Sequence, residues 1–406
     1  MENLKTIFAV LILFTIILVL SAANAVHAIE VTATVPVGSA PTGVVYDSNK
    51  GEVFVANSGS NSVSVISDAN NSVVATIPLQ SGSLNPVDLT YDSGKGEIFV
   101  LNSPPDEISF SSSTITVIAD SNNSIVATIT LGFNSVVGIS YDSAKGEIFV
   151  AGQNPGGPVT IISDTNNSVV STVLVGGHPQ GIVYDSGMGE TFVSVEGDTS
   201  NWVSVISDNS NTVVAKVTVE NVPIGLAYDP GKGEIFVSGI LTPELSQVVN
   251  PHIAVSVISD QTDTVVASIP MPTNTVYLTY DSKQGEIFVN YAGDNNTLSV
   301  ISDSNDMVIA NVTIANSSIS SLAYDSSKSE IFASNPFNDT VSVMSDYSAP
   351  PATPTPTQLP SSPTVPEFSS DSRILMAVAV VVVTSCAVAS ALRKSTRTMS
   401  DSRNNC

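Results

Sequence analysis

A short phrase, Tyr-Asp followed by Ser or Pro, returns seven times along the chain, at Tyr46, Tyr91, Tyr141, Tyr184, Tyr228, Tyr280 and Tyr324. The steps between copies are 45, 50, 43, 44, 52 and 44 residues. Four apolar segments recur in each unit; in the first they are Gly43–Asp47, Glu52–Ala56, Ser62–Asp68 and Ser72–Pro78. Val63 to Ser67 alternates apolar and small polar residues, the period of a strand with one face more buried than the other. Val, Ile, Thr and Phe dominate these runs and suit a pleated, packed surface. No long helix is expected between residues 29 and 346.

A period in the forties with four strands per unit marks a β-propeller, one blade per repeat. The expected fold is all-β, a seven-bladed propeller over residues 29–346. Its turns carry their own chemistry. In Asp47-Ser48-Asn49-Lys50-Gly51 the Asp can accept backbone N–H groups and the Gly can take positive φ. A second repeated acid, Asp68, Asp120, Asp164, Asp208, Asp260, Asp303 and Asp346, ends each third segment and reads as turn capping rather than metal binding. The fourth segment follows only six of the seven copies. Val31-Thr32-Ala33-Thr34-Val35-Pro36 matches Val73-Val74-Ala75-Thr76-Ile77-Pro78, so this N-terminal strand is expected to pair with Val341–Ser345 and close the ring, removing two open sheet edges.

Glu-Ile-Phe-Val at 97–100, 147–150, 234–237 and 286–289, with Val-Ser-Val-Ile-Ser-Asp and Val-Val-Ala-Thr-Ile-Pro, resembles the strands of the YVTN-type β-propeller repeat family, common in archaeal surface-layer-like proteins. The resemblance covers roughly residues 29–346. It implies the propeller fold and, since that family is defined by repeats, no particular activity. The chain departs from the family in having Phe where Tyr is typical and Ser before the turn Asp.

The ends read as targeting segments. Residues 1–28 have the form of a signal peptide, with Lys5 before an apolar run and small residues at Ala25 and Ala28 for cleavage. Residues 347–370 are rich in Pro, Thr and Ser and read as an extended stalk. Residues 371–406 hold an uncharged stretch, Ile374–Leu392, about 28 Å long as a helix and long enough to span a bilayer. Arg393, Lys394 and Arg397 follow it and place the C-terminus inside and the propeller outside. Pro366-Glu367-Phe368 is similar to an archaeal C-terminal sorting signal, which implies a tail that is removed and replaced by a lipid anchor. The expected location is the cell surface, single-pass anchored.

The propeller region has seven lysines and no arginine against 33 acidic residues, and no cysteine. That balance repels phosphate backbones and argues against nucleic acid as a partner. Its expected partner is an extracellular protein or glycan. Sequons at Asn70, Asn122, Asn166, Asn295, Asn311, Asn316 and Asn338 fit a glycoprotein.

In a propeller, the second-to-third and blade-to-blade connections share one face, and the irregular insertions fall there: Asn102–Ser113, Glu196–Trp202 and Gly239–Ala254. Variable loops on a rigid scaffold are where binding usually lives. Candidate ligand residues on these loops are Asp106, Glu107, Phe110, Asp198, Trp202, Glu244, His252, Tyr291 and Asp294. Three residues before each repeated Tyr stands Gly43, Asp88, Gly138, Gly181, Gly225, Tyr277 or Ser321. Asp88 and Tyr277 therefore break a ring of small residues at the channel mouth. No catalytic residue, cofactor motif or metal set is identified. The leading reading is a non-catalytic binding, adhesion or envelope-structural protein. The alternative is a metal-dependent hydrolase or lactonase-like enzyme, with Ca²⁺ held by carboxylates at the channel mouth.

Overall fold

The computed structural model describes residues 29–79, 85–104, 111–241, 252–293, 297–314 and 318–345. The expected signal peptide, stalk and C-terminal helix lie outside these residues. Among the described residues no helix is long and apolar enough to cross a membrane.

The strands form seven four-stranded antiparallel sheets. Blade 1 consists of Pro41–Asp47, Glu52–Asn57, Ser62–Ser67 and Ser72–Pro78, in sequence order from the inner strand outward. Blades 2 to 6 repeat this plan. The last sheet takes three strands from the end of the repeat, Ser321–Asp325, Glu330–Asn335 and Thr340–Ser345, and its fourth, Glu30–Pro36, from the N-terminal end. Val31 pairs with Met344 and Val35 with Val341, as the strand count requires. The closing strand also copies a local irregularity. Every other outer strand skips one residue against its neighbour, as between Val65 and Ile66 opposite Ala75 and Val73, and the closing strand skips Thr32 at the equivalent place. These bulges twist the rim and leave Val74, Val126 and Val214 about half exposed.

The turns follow their sequence. Asp47 Oδ1 accepts the N–H groups of Asn49 at 2.9 Å and Lys50 at 3.2 Å, and Gly51 has φ 68°. The same pair of bonds recurs at Asp92, Asp142, Asp185, Asp229, Asp281 and Asp325. Third-to-outer turns place Asn71, Asn123, Asn167 and Asn211 at positive φ, with Asp263 and Asp306 in the same role. Short polar side chains tolerate that region.

The core is a ring of seven clusters, each between two neighbouring blades. Phe54, Phe99, Phe149, Phe192, Phe236, Phe288 and Phe332 are fully buried, one in each second strand and one in each cluster. The blade 4–5 cluster joins Phe192, Val203 and Val205 of one sheet to Ile235, Val237 and Ile258 of the next. Phe192→Ala empties such a cluster, and equilibrium denaturation should show a loss of roughly 3–5 kcal/mol. Deleting residues 29–36 uncovers the edge of Thr340–Ser345 together with its apolar partners. That variant should associate on size exclusion; a monodisperse monomer with wild-type Tm would show that the ring closes without this strand.

Candidate functional site: the central funnel and the loop face

Inner strands converge on the disc axis. Gly43, Asp88, Gly138, Gly181, Gly225, Tyr277 and Ser321 all line one central funnel of about 560 Å³. Glycine is required where adjacent inner strands nearly touch. A Cβ on Gly181 would stand 2.4 Å from the Ile224 carbonyl oxygen, and one on Gly225 2.3 Å from that of Val276. Second-strand side chains bind this crossing. Ser194, Ser238 and Ser334 donate Oγ–H to the carbonyls of Ile224, Val276 and Thr42 at 2.6, 2.5 and 2.6 Å. Asn290 accepts the Tyr277 N–H at 2.7 Å and donates to the Ile319 carbonyl at 3.1 Å. Blades 1 to 3 have Ala56, Leu101 and Ala151 at that position, so bridging by this second-strand residue is confined to blades 4 to 7, while Thr42 of blade 1 donates to the Pro86 carbonyl at 3.2 Å.

Asp88 is the single ionisable acid among the funnel residues, and no Lys, Arg or His joins it. Its Oδ1 accepts the Leu89 N–H at 2.9 Å, and its Oδ2 accepts the Ile139 N–H of blade 3 at 3.3 Å. Part of its surface opens into the funnel, yet protein surrounds it on all sides. Burial pushes its carboxyl up to about 7, against the lowering effect of the two N–H donors. Tyr277 presents 38% of its surface to the funnel, and burial followed by the Asp88 charge raises its phenol. One acid and one phenol in an otherwise uncharged wall suit a single cationic group. They do not supply a carboxylate pair or a His–acid pair for proton transfer. No group of three or more His, Cys, Asp or Glu among the described residues is placed to hold a metal ion.

The other candidates are scattered. Asp198 is exposed in a groove of about 700 Å³ with His178, Glu196 and Glu220. His252 is exposed and pairs with Glu220 at 2.8 Å. Trp202 is not a loop anchor. It lies in the strand Asn201–Ser207, half-buried, donates Nε1–H to Ser204 Oγ at 2.9 Å, and carries the Lys216 ammonium 4.5 Å from its ring centre. Tyr291 is likewise a strand residue, buried, with its hydroxyl on Ser299, so little of it is exposed. Asp106, Glu107, Phe110, Glu244 and Asp294 lie outside the described residues.

Asn70, Asn122, Asn166, Asn311 and Asn338 are exposed; Asn295 and Asn316 lie outside the described residues. In the first three the sequon Ser donates its hydroxyl to the Asn side chain at 2.7 Å.

The opposite face holds a ring of side chains that the repeat pattern did not reveal. The described acids that end the third strands do more than cap turns, though Asp208 and Asp260 do accept the N–H of Asn209 and Gln261. They stand at the blade boundary, where Asp68 accepts the Tyr46 hydroxyl at 3.3 Å and the Ser327 hydroxyl of blade 7 at 3.2 Å. The first-to-second turn lysines reach across to the next blade. Lys50, Lys95, Lys145 and Lys232 donate to the main-chain carbonyls of Asp120, Asp164, Asp208 and Asp303. Lys328 lies 3.7 Å from the Asp68 carboxylate, while blades 4 and 6 have Met188 and Gln284 in the lysine position. Each repeated Tyr faces the turn Asp of the preceding blade, and burial first, then these acids, raise all seven phenols. Aligning the turn lysines with the third-strand acids one blade on would have exposed the pairing.

No protein-family model matches the chain, and no curated protein matches it. Solved structures do share the fold. Hydrazine synthase from Kuenenia stuttgartiensis matches with TM-score 0.65 at 14% identity, over 75% of this chain and 95% of that one. A chain of a mitotic checkpoint complex matches with TM-score 0.64 at 12% identity, over 78% of this chain and 91% of that one. The class is thus a seven-bladed β-propeller, and likeness at this identity extends to the fold alone.

A carbon-13 titration of the Asp88 carboxyl should centre near pH 7, well above the ordinary carboxylate value of about 4. An acid raised in the fold stabilises below its ordinary value, and that contribution is lost as pH rises through about 7. A midpoint near 4 would mean that the funnel solvates Asp88 like open water.

Proposed function

We propose that this protein is a non-catalytic, surface-anchored propeller that binds an extracellular protein or glycan through its loop face and funnel. The observation that carries the reading is the division of labour between the two faces. Tight turns tie one face together blade by blade. The strand ends that bound the irregular connections lie on the other, and the funnel is lined by the inner-strand halves nearest it. Glu30 pairs with Ser345, so the described chain enters and leaves the disc on the tight-turn face. Propellers serve as binding platforms whose specificity sits in such loops. The repeats' likeness to the YVTN type, the leader, the stalk and the basic-flanked apolar tail support an envelope location, with the Pro-Glu-Phe segment pointing to an archaeal surface-layer setting. The acidic surface favours a partner bearing positive charge, and Asp88 offers one buried anion for it.

Two measurements test this. In fractionated native cells the chain should follow the membrane and be cleaved by external protease; recovery in the soluble cytoplasm would end the proposal. On protein and glycan arrays, shortening the 104–113 and 241–252 connections should leave Tm within a degree or two and reduce binding at least tenfold. Unchanged binding would move the site off this face.

A further inference from the structure

Four of the seven blade junctions keep one solution to crowded acids, a lysine and an asparagine; the blade 5–6 junction has Asp306 in the asparagine position, the blade 6–7 junction has Gln284 in the lysine position, and the blade 4–5 junction departs twice. The glutamate that opens each second strand stands beside the turn Asp of its own blade, buried at Glu286 and half-buried in the other six blades. In five blades it has a cation close by: Lys50 lies 3.8 Å from Glu52, and Lys232 lies 3.7 Å from Glu234. Glu97, Glu147 and Glu330 are lowered in the same way by Lys95, Lys145 and Lys328. A neutral donor supplements the cation. At two junctions the positive-φ Asn of the next blade adds to this lowering, Asn211 at Glu147 and Asn71 at Glu330.

At the blade 4–5 junction Met188 occupies the lysine position, half exposed, and Asp263 occupies the Asn position, at φ 50°. A cation and an amide are thereby replaced by a thioether and a further acid. Glu190 faces Asp185 and Asp208 from its own blade and Asp260 and Asp263 from blade 5. Asp185 is fully buried and Asp260 is 6% exposed, and each has a carboxylate oxygen without a hydrogen-bond partner. The lysine that comes from blade 3, Lys145, is spent on the Asp208 carbonyl. None of the described acids forms a group of three placed to share a metal ion. A proton is a positive charge that needs no such ligand set.

We propose that Glu190 carries a proton in the closed ring, facing Asp263, and that this proton replaces the Lys–Asn pair of four other junctions. The blade 4–5 seam is then a pH-operated latch, tight in mild acid and loosened in mild alkali. Burial first, then Asp263, Asp185, Asp260 and Asp208, raise Glu190 to about 7, which places the transition near neutrality. The direction follows from linkage. The folded chain holds a proton that the unfolded chain releases near 4.5, so the stabilisation is full below that value and disappears as pH rises through about 7. Blade 6, with Gln284 in the lysine position, has the other glutamate raised to about 7, Glu286, beside Asp281 and Asp303. The equivalent position of blade 7 lies outside the described residues; the blade 4–5 seam lacks both the lysine and the amide.

The test compares full-length wild-type protein with Glu190→Gln and Met188→Lys at about pH 5.5 and about pH 8.5. Asp88 and Glu286 titrate in all three proteins, so the readout is the difference between variant and wild type. Glu190→Gln mimics the protonated acid and should raise Tm at the alkaline pH by about 2–4 °C with little change in acid. Met188→Lys should do the same by supplying the missing cation, and it covers the case in which Glu190→Gln fails to fold. Hydrogen exchange, corrected for intrinsic rate, should show wild-type segments 185–190 and 259–265 losing protection at the alkaline pH while segments 142–147 and 207–212 keep theirs. Equal pH slopes for wild type and both variants, or unchanged protection at 185–190, would overturn the latch. So would a Tm rise on adding Ca²⁺ to alkaline wild type that Glu190→Gln lacks, because an ion would then hold the seam.

Discussion

A four-stranded sheet of this sequence has two apolar faces and can hide both only between two neighbours of its own kind. That constraint governs the molecule. The second strand of blade 4, Glu190–Glu196, is buried along its whole middle because Phe192 serves the junction ahead while Val193 and Val195 serve the one behind. An open array would leave two terminal sheets half wet, with the larger part of a Phe cluster exposed at each end. Closing the ring with a strand from the other end of the repeat region removes that loss. It also couples the first blade to the last, so no blade can leave alone without uncovering two clusters. The absence of any cysteine in the propeller is consistent with a core whose cohesion is topological.

The same packing creates an electrostatic problem. Blade contact on the tight-turn face brings a fully buried capping Asp, a third-strand Asp and a second-strand Glu together at each junction in a chain with few cations. The solution is economical in charge. Each turn Asp is held by two N–H groups of its own turn, and a hydrogen-bonded carboxylate tolerates burial. Each lysine then bonds a neighbouring carbonyl while lying near the acids, so one ammonium both links two blades and offsets several negative groups. Most of these side chains remain partly wet, and the pairs are worth little one at a time. Their value lies in repetition around a closed ring, where a single odd junction such as that at Met188 sets the weakest seam.

Architecture was legible because it is periodic. Tyr-Asp-Ser fixed the blade count, and the unpaired fourth segment fixed the closing strand, down to a register that even preserves the bulge at Thr32. Side-chain partnerships were less legible, since they join residues some 63 to 71 positions apart in neighbouring units. Asp68 and its equivalents read as turn caps because they sit at hairpin ends; only the docked neighbour blade turns them into boundary acids. Trp202 and Tyr291 read as loop residues for a related reason. Their strands extend further than the alternation suggests, and both rings fold back onto the sheet. The funnel ring from Gly43 to Ser321 was the exception, because residues at one repeat position must meet at a symmetry axis.

That axis is where the seven units stop being equivalent. Small residues at Gly181 and Gly225 let the inner strands touch, with Ser194 and Ser238 sealing the contact through the neighbouring carbonyls. The half of the ring that lacks these hydroxyls, blades 1 to 3, is the half that holds Asp88. There a carboxylate bridges to Ile139 of the next blade in place of a second-strand serine, and its charge ends up in the funnel wall. A repeat protein that needed only structural closure had a neutral way to make that contact, and it used one at blades 4, 5 and 7. Substituting an acid at this position leaves an anion whose own bonds only partly offset its burial, and the unsatisfied balance is what a positively charged ligand group would meet on entering from the loop face.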